Sequence, residues 1–196
     1  MELTRIVTAL CAALPLLGGA TASAGDSGRV VPLTQISAWQ PARPATRNPV
    51  IFEQVMLRTH NLVRARAGVA PLDWDDGLAG QAAGYAEQLA RENRFEHSPR
   101  QVRGDAGENL WMGTRRAFNY AEMTGSWVEE GAAFQPGRFP RVSRTGDWSD
   151  VGHYTQMIWA GSKRVGCAIA SNDTDDFVVC RYWPAGNIYG RNPLDY

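Results

Sequence analysis

The chain has 196 residues, with 20 Lys and Arg matched by 20 Asp and Glu. That length suits one domain with a real core, and seven Trp place large rings in it. The acids and bases are interspersed, which excludes nucleic acid as a partner, because phosphate binding needs a basic stripe.

The first residues have the form of an export signal. Arg5 supplies a short positive region, an apolar run follows from Ile6 through Leu17, and Ala22-Ser23-Ala24 offers the small-x-small pattern of a signal-peptidase site. The run is shorter than the roughly 20 residues of a membrane-spanning helix. Residues 1–24 are therefore expected to be removed, with cleavage after Ala24. No later stretch is apolar enough to cross a bilayer, so the mature protein is expected to be soluble, monomeric, and secreted or periplasmic. Cys11 leaves with the signal, and Cys167 and Cys180 remain as an even pair that export allows to oxidise. Residues 25–47, with Pro32, Pro41 and Pro44, have no sustained period and are expected to form a flexible lead-in to a domain over 48–196.

The domain opens on strong helix punctuation. Asn48 suits an N-cap, Pro49 the first helical position and Gly68 a left-handed stop, with Phe52, Met56, Thr59 and Val63 on one face. A second helix is predicted from Asp75 or Asp76, with a buried stripe of Leu78, Ala82, Tyr85, Ala86 and Leu89. Beside that stripe lie Ala79, Gly80, Ala83 and Gly84, small enough to let a neighbouring element approach. A third helix is predicted from Phe118 to Glu130, ended by Gly131.

The final third changes character. Val165–Ala170 and Phe177–Trp183 are short β-rich runs joined by a polar turn over 172–176, which predicts a hairpin. The midpoint of positions 167 and 180 falls inside that turn, so symmetric pairing sets Cys167 opposite Cys180. Opposed residues of antiparallel strands lie about 4.5–5.5 Å apart at Cα, a distance a disulfide bridges. Helices followed by a small sheet predict an α+β domain with helices on the sheet faces.

Two segments are more specific. Gly152-His153-Tyr154-Thr155-Gln156-Met157-Ile158-Trp159, followed by Ser162, resembles the first signature of the CAP family: the cysteine-rich secretory, antigen 5 and pathogenesis-related 1 proteins. The run from Phe177 to Ile188 resembles the second. His60-Asn61-x-x-Arg64, Leu72-Asp73-Trp74, Gly107-Glu108-Asn109-Leu110 and Trp127-Val128-Glu129-Glu130 are similar to further family segments, so the likeness covers residues 50–191. It implies a three-layer αβα sandwich, and a cleft lined by His97, Glu108, Glu130 and His153. The resemblance also implies Glu130 rather than Glu129, since the family spaces this glutamate three residues after the tryptophan, about one helical turn from Trp127. Many relatives carry several disulfides, whereas this chain has cysteines for one.

Two convergent imidazoles can hold one divalent cation such as zinc, here as a weak, exchangeable site on His97 and His153, with Glu108 and Glu130 orienting the rings. A zinc-dependent hydrolase, with Glu108 or Glu130 as general base, is the alternative. Against it, the chain has no H-E-x-x-H helix, no G-x-S-x-G elbow and no free cysteine nucleophile. Binding outside the cell is therefore favoured over catalysis, and a satisfied polar network of the four side chains is the structural alternative. His60, one turn from Met56 and Val63, is expected to be structural. Trp111, Trp148, Trp159 and Trp183 are expected to be core or rim aromatics. The resemblance also implies that a sterol, a fatty acid or an extracellular protein is a candidate partner, with the aromatic-bearing loop over 132–150 as a flexible cover.

Overall fold

The computed structural model describes residues 47–195. The export signal, and the lead-in apart from Arg47, lie outside the described residues. No helix among those described is long and apolar enough to cross a membrane.

Local chemistry sets the helix ends. Helix α1 is Pro49–Arg66, and the Asn48 side chain accepts from the N–H groups of Val50 and Ile51 at 3.0 and 3.2 Å. Gly68, just past its end, takes φ +72°, where a Cβ would be strained. Its buried face is Phe52, Met56, His60, Val63 and Arg64. Thr59 is only half-buried, so the face is rotated slightly from its expected position. Helix α2 is Asp76–Glu92, capped by Asp75 and closed by Asn93 at φ 48°, and it buries the expected stripe together with Ala90. A short helix α3, Arg100–Arg103, follows. Helix α4 is Tyr120–Glu129, two residues shorter at its start than expected. The cause is a capping box, in which Asn119 accepts from Glu122 N–H and the Glu122 carboxylate accepts from Asn119 N–H. A 3₁₀ turn, Glu130–Ala132, continues it. Helix α5 is Gly152–Met157.

Four strands form one sheet in the order β1-β3-β4-β2: β1 is Asp73–Trp74, β2 Gly107–Thr114, β3 Arg164–Ser171 and β4 Asp175–Trp183. Strands β3 and β4 are the expected hairpin, and their register sets Cys167 opposite Cys180. The two cysteines are joined, with Cα atoms 4.1 Å apart. Strand β4 also pairs antiparallel with β2, and β1 pairs parallel with β3.

Both sheet faces are covered, which the period of β4 records. Val178, Cys180 and Tyr182 join α1 and α4 in one buried cluster, while Phe177 and Val179 join α2 in another. The result is the expected α+β sandwich, with α2 on one side and α1, α4 and α5 on the other. Close approach occurs on the strand rather than at the helix glycines. A Cβ on Gly166 of β3 would lie 2.2 Å from Ala79 N, whereas Cβ atoms on Gly80 or Gly84 would meet nothing within 4 Å.

Candidate functional site

The site is assembled at one end of the sheet. His97 lies in the segment between α2 and α3, held down where the Tyr85 hydroxyl donates to the Glu96 carbonyl at 2.9 Å. Glu108 is the second residue of β2, and its cross-strand partner on β4 is Arg181. Glu130 lies in the turn after α4, and His153 is the second residue of α5.

Two carboxylate–imidazole pairs result. His97 Nδ1 lies 2.6 Å from Glu108 Oε1, and His153 Nδ1 lies 2.6 Å from Glu130 Oε1. A carboxylate only accepts, so each Nδ1 carries a proton, and in the neutral ring the lone pair is on Nε2. Neither Nε2 makes a hydrogen bond among the described residues. His97, Glu108 and His153 line a common cavity of about 510 Å³. Glu130 stands behind His153, and its other oxygen accepts from the N–H groups of His153 and Tyr154 at 2.9 and 3.0 Å. That carboxylate answers the unpaired donors at the start of α5 and aims the ring at the same time. The His153 ring is also stacked on Trp127, with centroids 5.8 Å apart, and Trp127 Nε1–H donates to the Leu110 carbonyl.

Glu108 is more heavily engaged than sequence reasoning anticipated. Its carboxylate accepts from Ser98 N–H and Ser98 Oγ–H, each at 2.9 Å, and pairs with Arg181 at 2.7 Å, both charged side chains being 1% exposed. Arg103 stands 3.6 Å away. Burial alone would raise its pKa, but the His97 hydrogen bond, the Arg181 charge and the Ser98 donors outweigh that and hold it below the usual carboxylate value. A carboxylate so stabilised is a poor proton acceptor, so Glu108 fits the holding of His97 better than general-base work. Arg181 and Ser98 were missed as partners. The available signal was a single charge inside an otherwise apolar strand run over 177–183.

Other residues sort clearly. Glu129 lines a separate groove with Trp111 and Phe118, so the choice of Glu130 stands on its contact with His153. His60 is fully buried, with Nδ1 2.7 Å from the Met56 carbonyl and Nε2 2.7 Å from the Tyr182 hydroxyl. Trp159 is buried, Trp111 half-buried, and Trp148 and Trp183 lie at the rim. The loop over 132–150 is not a loose cover. Phe139 and Val142 form a small core with Val151 and Trp159, and Gln135 N–H donates to the Val142 carbonyl at 2.8 Å.

A family model described as the cysteine-rich secretory protein family, CAP, matches residues 57–182. The chain belongs to the CAP family. It is 36% identical over 144 residues to pathogenesis-related protein PR-1 of Medicago truncatula, covering 72% of this chain and 79% of that one. It is 38% identical over 143 residues to pathogenesis-related protein 1B of Nicotiana tabacum, covering 72% and 80%. Among solved structures it is similar to NaASP2 with Zn2+, at TM-score 0.64 and 25% identity, over 78% of this chain and 88% of that one. The CAP match includes all four cleft residues.

A divalent cation fits the donor set in part. Two imidazoles with carboxylate-fixed Nδ1–H groups are ready-made nitrogen ligands. Among the described residues, however, no group of three or more His, Cys, Asp and Glu side chains is placed to hold a metal ion. With two protein ligands, water would complete the shell.

Proposed function

We propose that this CAP domain acts outside the cell by binding rather than by catalysis, and that His97 and His153 take a divalent cation such as zinc in a weak, exchangeable manner. The single observation that supports this is the matched pair of 2.6 Å carboxylate contacts at Nδ1, on two rings that line one cavity and whose Nε2 atoms make no hydrogen bond among the described residues. When bound, the ion would supply a positive centre for a carbonyl or carboxylate of a partner. The chain's own residues do the rest: Glu108 and Glu130 orient the rings, Arg181 and Ser98 hold Glu108, and Trp127 backs His153.

The hydrolase alternative needs a free general base. Glu108 is saturated with donors, and Glu130 has both oxygens turned to His153 and the start of α5. Export remains part of the proposal, motivated by the pattern of residues 1–24 and by the pathogenesis-related relatives.

Isothermal titration of zinc into wild type, His153→Ala and the His97→Ala/His153→Ala double variant tests the metal site. Micromolar or weaker binding in wild type, reduced in the single variant and absent in the double, is expected. Equal zinc uptake by the double variant would remove the assignment.

A further inference from the structure

One part of the cleft has no role in holding the imidazoles. Its wall is three rings, Phe139, Trp148 and Tyr189, which line the same cavity as His97 and His153. Phe139 is buried, whereas Trp148 is 39% and Tyr189 68% exposed. Phe139 meets Trp148 and Tyr189 edge-on, with centroids 5.1 and 5.3 Å apart. Large rings left open to water inside a concave site mark a ligand surface rather than a core.

The segments that carry these rings are also tied together. Gly190 N–H donates to the Phe139 carbonyl at 2.8 Å and Phe139 N–H to the Arg191 carbonyl at 2.7 Å, which laces the Tyr189 segment to the Phe139 segment. Trp148 sits against Gly152, where an added Cβ would come within 3.2 Å of the ring. Little order has to be imposed on such a surface when a ligand arrives.

We propose that Trp148 and Tyr189 form a platform for the pyranose rings of a neutral, β-linked oligosaccharide, of the glucan or chitin-fragment class. A β-linked glucopyranose holds its hydroxyls equatorially and its C–H bonds axially, so it presents a flat apolar face with a polar rim. A rigid exposed ring matches that face. A lipid tail wants an enclosed apolar sleeve, and this cavity is shared with imidazoles and the Asn187 amide. Asn187 uses one N–H on the Gly152 carbonyl and its oxygen on the Thr155 hydroxyl, both at 2.8 Å, which leaves a second N–H for a sugar hydroxyl. Charge does not select an anion, because Arg103, the guanidinium in the lining, is already engaged, 3.6 Å from the Glu108 carboxylate and donating to the Ser98 carbonyl at 2.8 Å. The platform is independent of the metal proposal.

Chitohexaose and laminarihexaose, titrated into the mature protein with EDTA or with zinc and followed by calorimetry and Trp fluorescence, provide the test. Wild type should bind at least one of them under both conditions. Trp148→Ala and Tyr189→Ala should each weaken binding about tenfold or more, while Trp148→Tyr should bind nearly as wild type does. Should Trp148→Ala fail to fold, Tyr189→Ala, at an open ring, carries the test. Absence of binding by either hexasaccharide at millimolar concentration overturns the proposal, as do ring variants that bind like wild type. Uptake of palmitate or cholesterol that the ring variants abolish, with no saccharide binding, gives the platform to a lipid and overturns it too. Saccharide binding that requires zinc and is lost only in His153→Ala moves the ligand to the imidazoles, with the same result.

Discussion

Acidification should weaken this fold in a window set by His60. The ring is fully buried beneath Tyr182, and burial is the main force lowering its pKa from 6.5 to about 4, opposed by the Met56 carbonyl and assisted by the Arg64 charge. The unfolded chain takes up a proton below 6.5, whereas the folded chain resists until about 4. The contribution of neutral His60 is therefore complete above 6.5 and is lost progressively as pH falls toward 4. Each unit of displacement is worth about 1.4 kcal/mol, so the whole interval amounts to about 3 kcal/mol, a large part of a typical domain's stability. The buried carboxylates Glu108 and Asp176 have lowered values, so their contributions are lost only as pH falls below the ordinary carboxylate range. The measurement is urea unfolding, followed by Trp fluorescence, at several pH values between 7 and 4.5 for wild type and His60→Gln. The variant should be less stable at pH 7 but lose stability less steeply toward pH 4.5, by about 1.4 kcal/mol per unit. Parallel slopes for the two proteins would refute a neutral buried His60.

Three further outcomes follow from the packing. Glu108→Gln leaves the Arg181 guanidinium buried opposite a neutral amide, which should lower stability by about 3–5 kcal/mol; Glu108→Gln/Arg181→Met, compared by urea midpoint, should recover part of the loss. Gly166→Ala forces a methyl into the backbone of α2, where the Cβ would stand 2.2 Å from Ala79 N. It should cost about 1–3 kcal/mol or more, visible as a lowered Tm, whereas Gly80→Ala on the open face should be neutral or stabilising. Replacing both Cys167 and Cys180 by Ala should cost about 2–3 kcal/mol, because the bond closes a short loop, and reducing agent should then leave the Tm of that variant unchanged.

Much of the fold was legible because its signals are local. Asn48, Pro49 and Gly68 bound α1, Asp75 caps α2, and the spacing of Cys167 and Cys180 about a polar turn gives the hairpin register. The start of α4 differs from the expected Phe118 because the Asn119–Glu122 capping box sets it, a signal that is itself local. The expected role of Gly80 and Gly84 failed for a different reason. Small residues on a helix permit an approach but do not say which partner makes it, and here the partner supplies its own glycine at 166.

The cleft divides along the same line. Residue types and motif resemblance were enough to nominate His97, Glu108, Glu130 and His153, since imidazoles and carboxylates in family segments are visible in one dimension. Their pairing was not. His97 meets Glu108 rather than Glu130 because β2 and the segment before α3 lie side by side, and Arg181 reaches Glu108 only through the β2–β4 register. Which rings are wedged into a core and which stand open is likewise decided by elements far apart in the chain, as Phe139, Trp148 and Tyr189 show. Caps, periods and turns act over a few residues and are written in the sequence by itself. Burial, charge pairing and cavity walls are sums over neighbours that only the folded chain brings together.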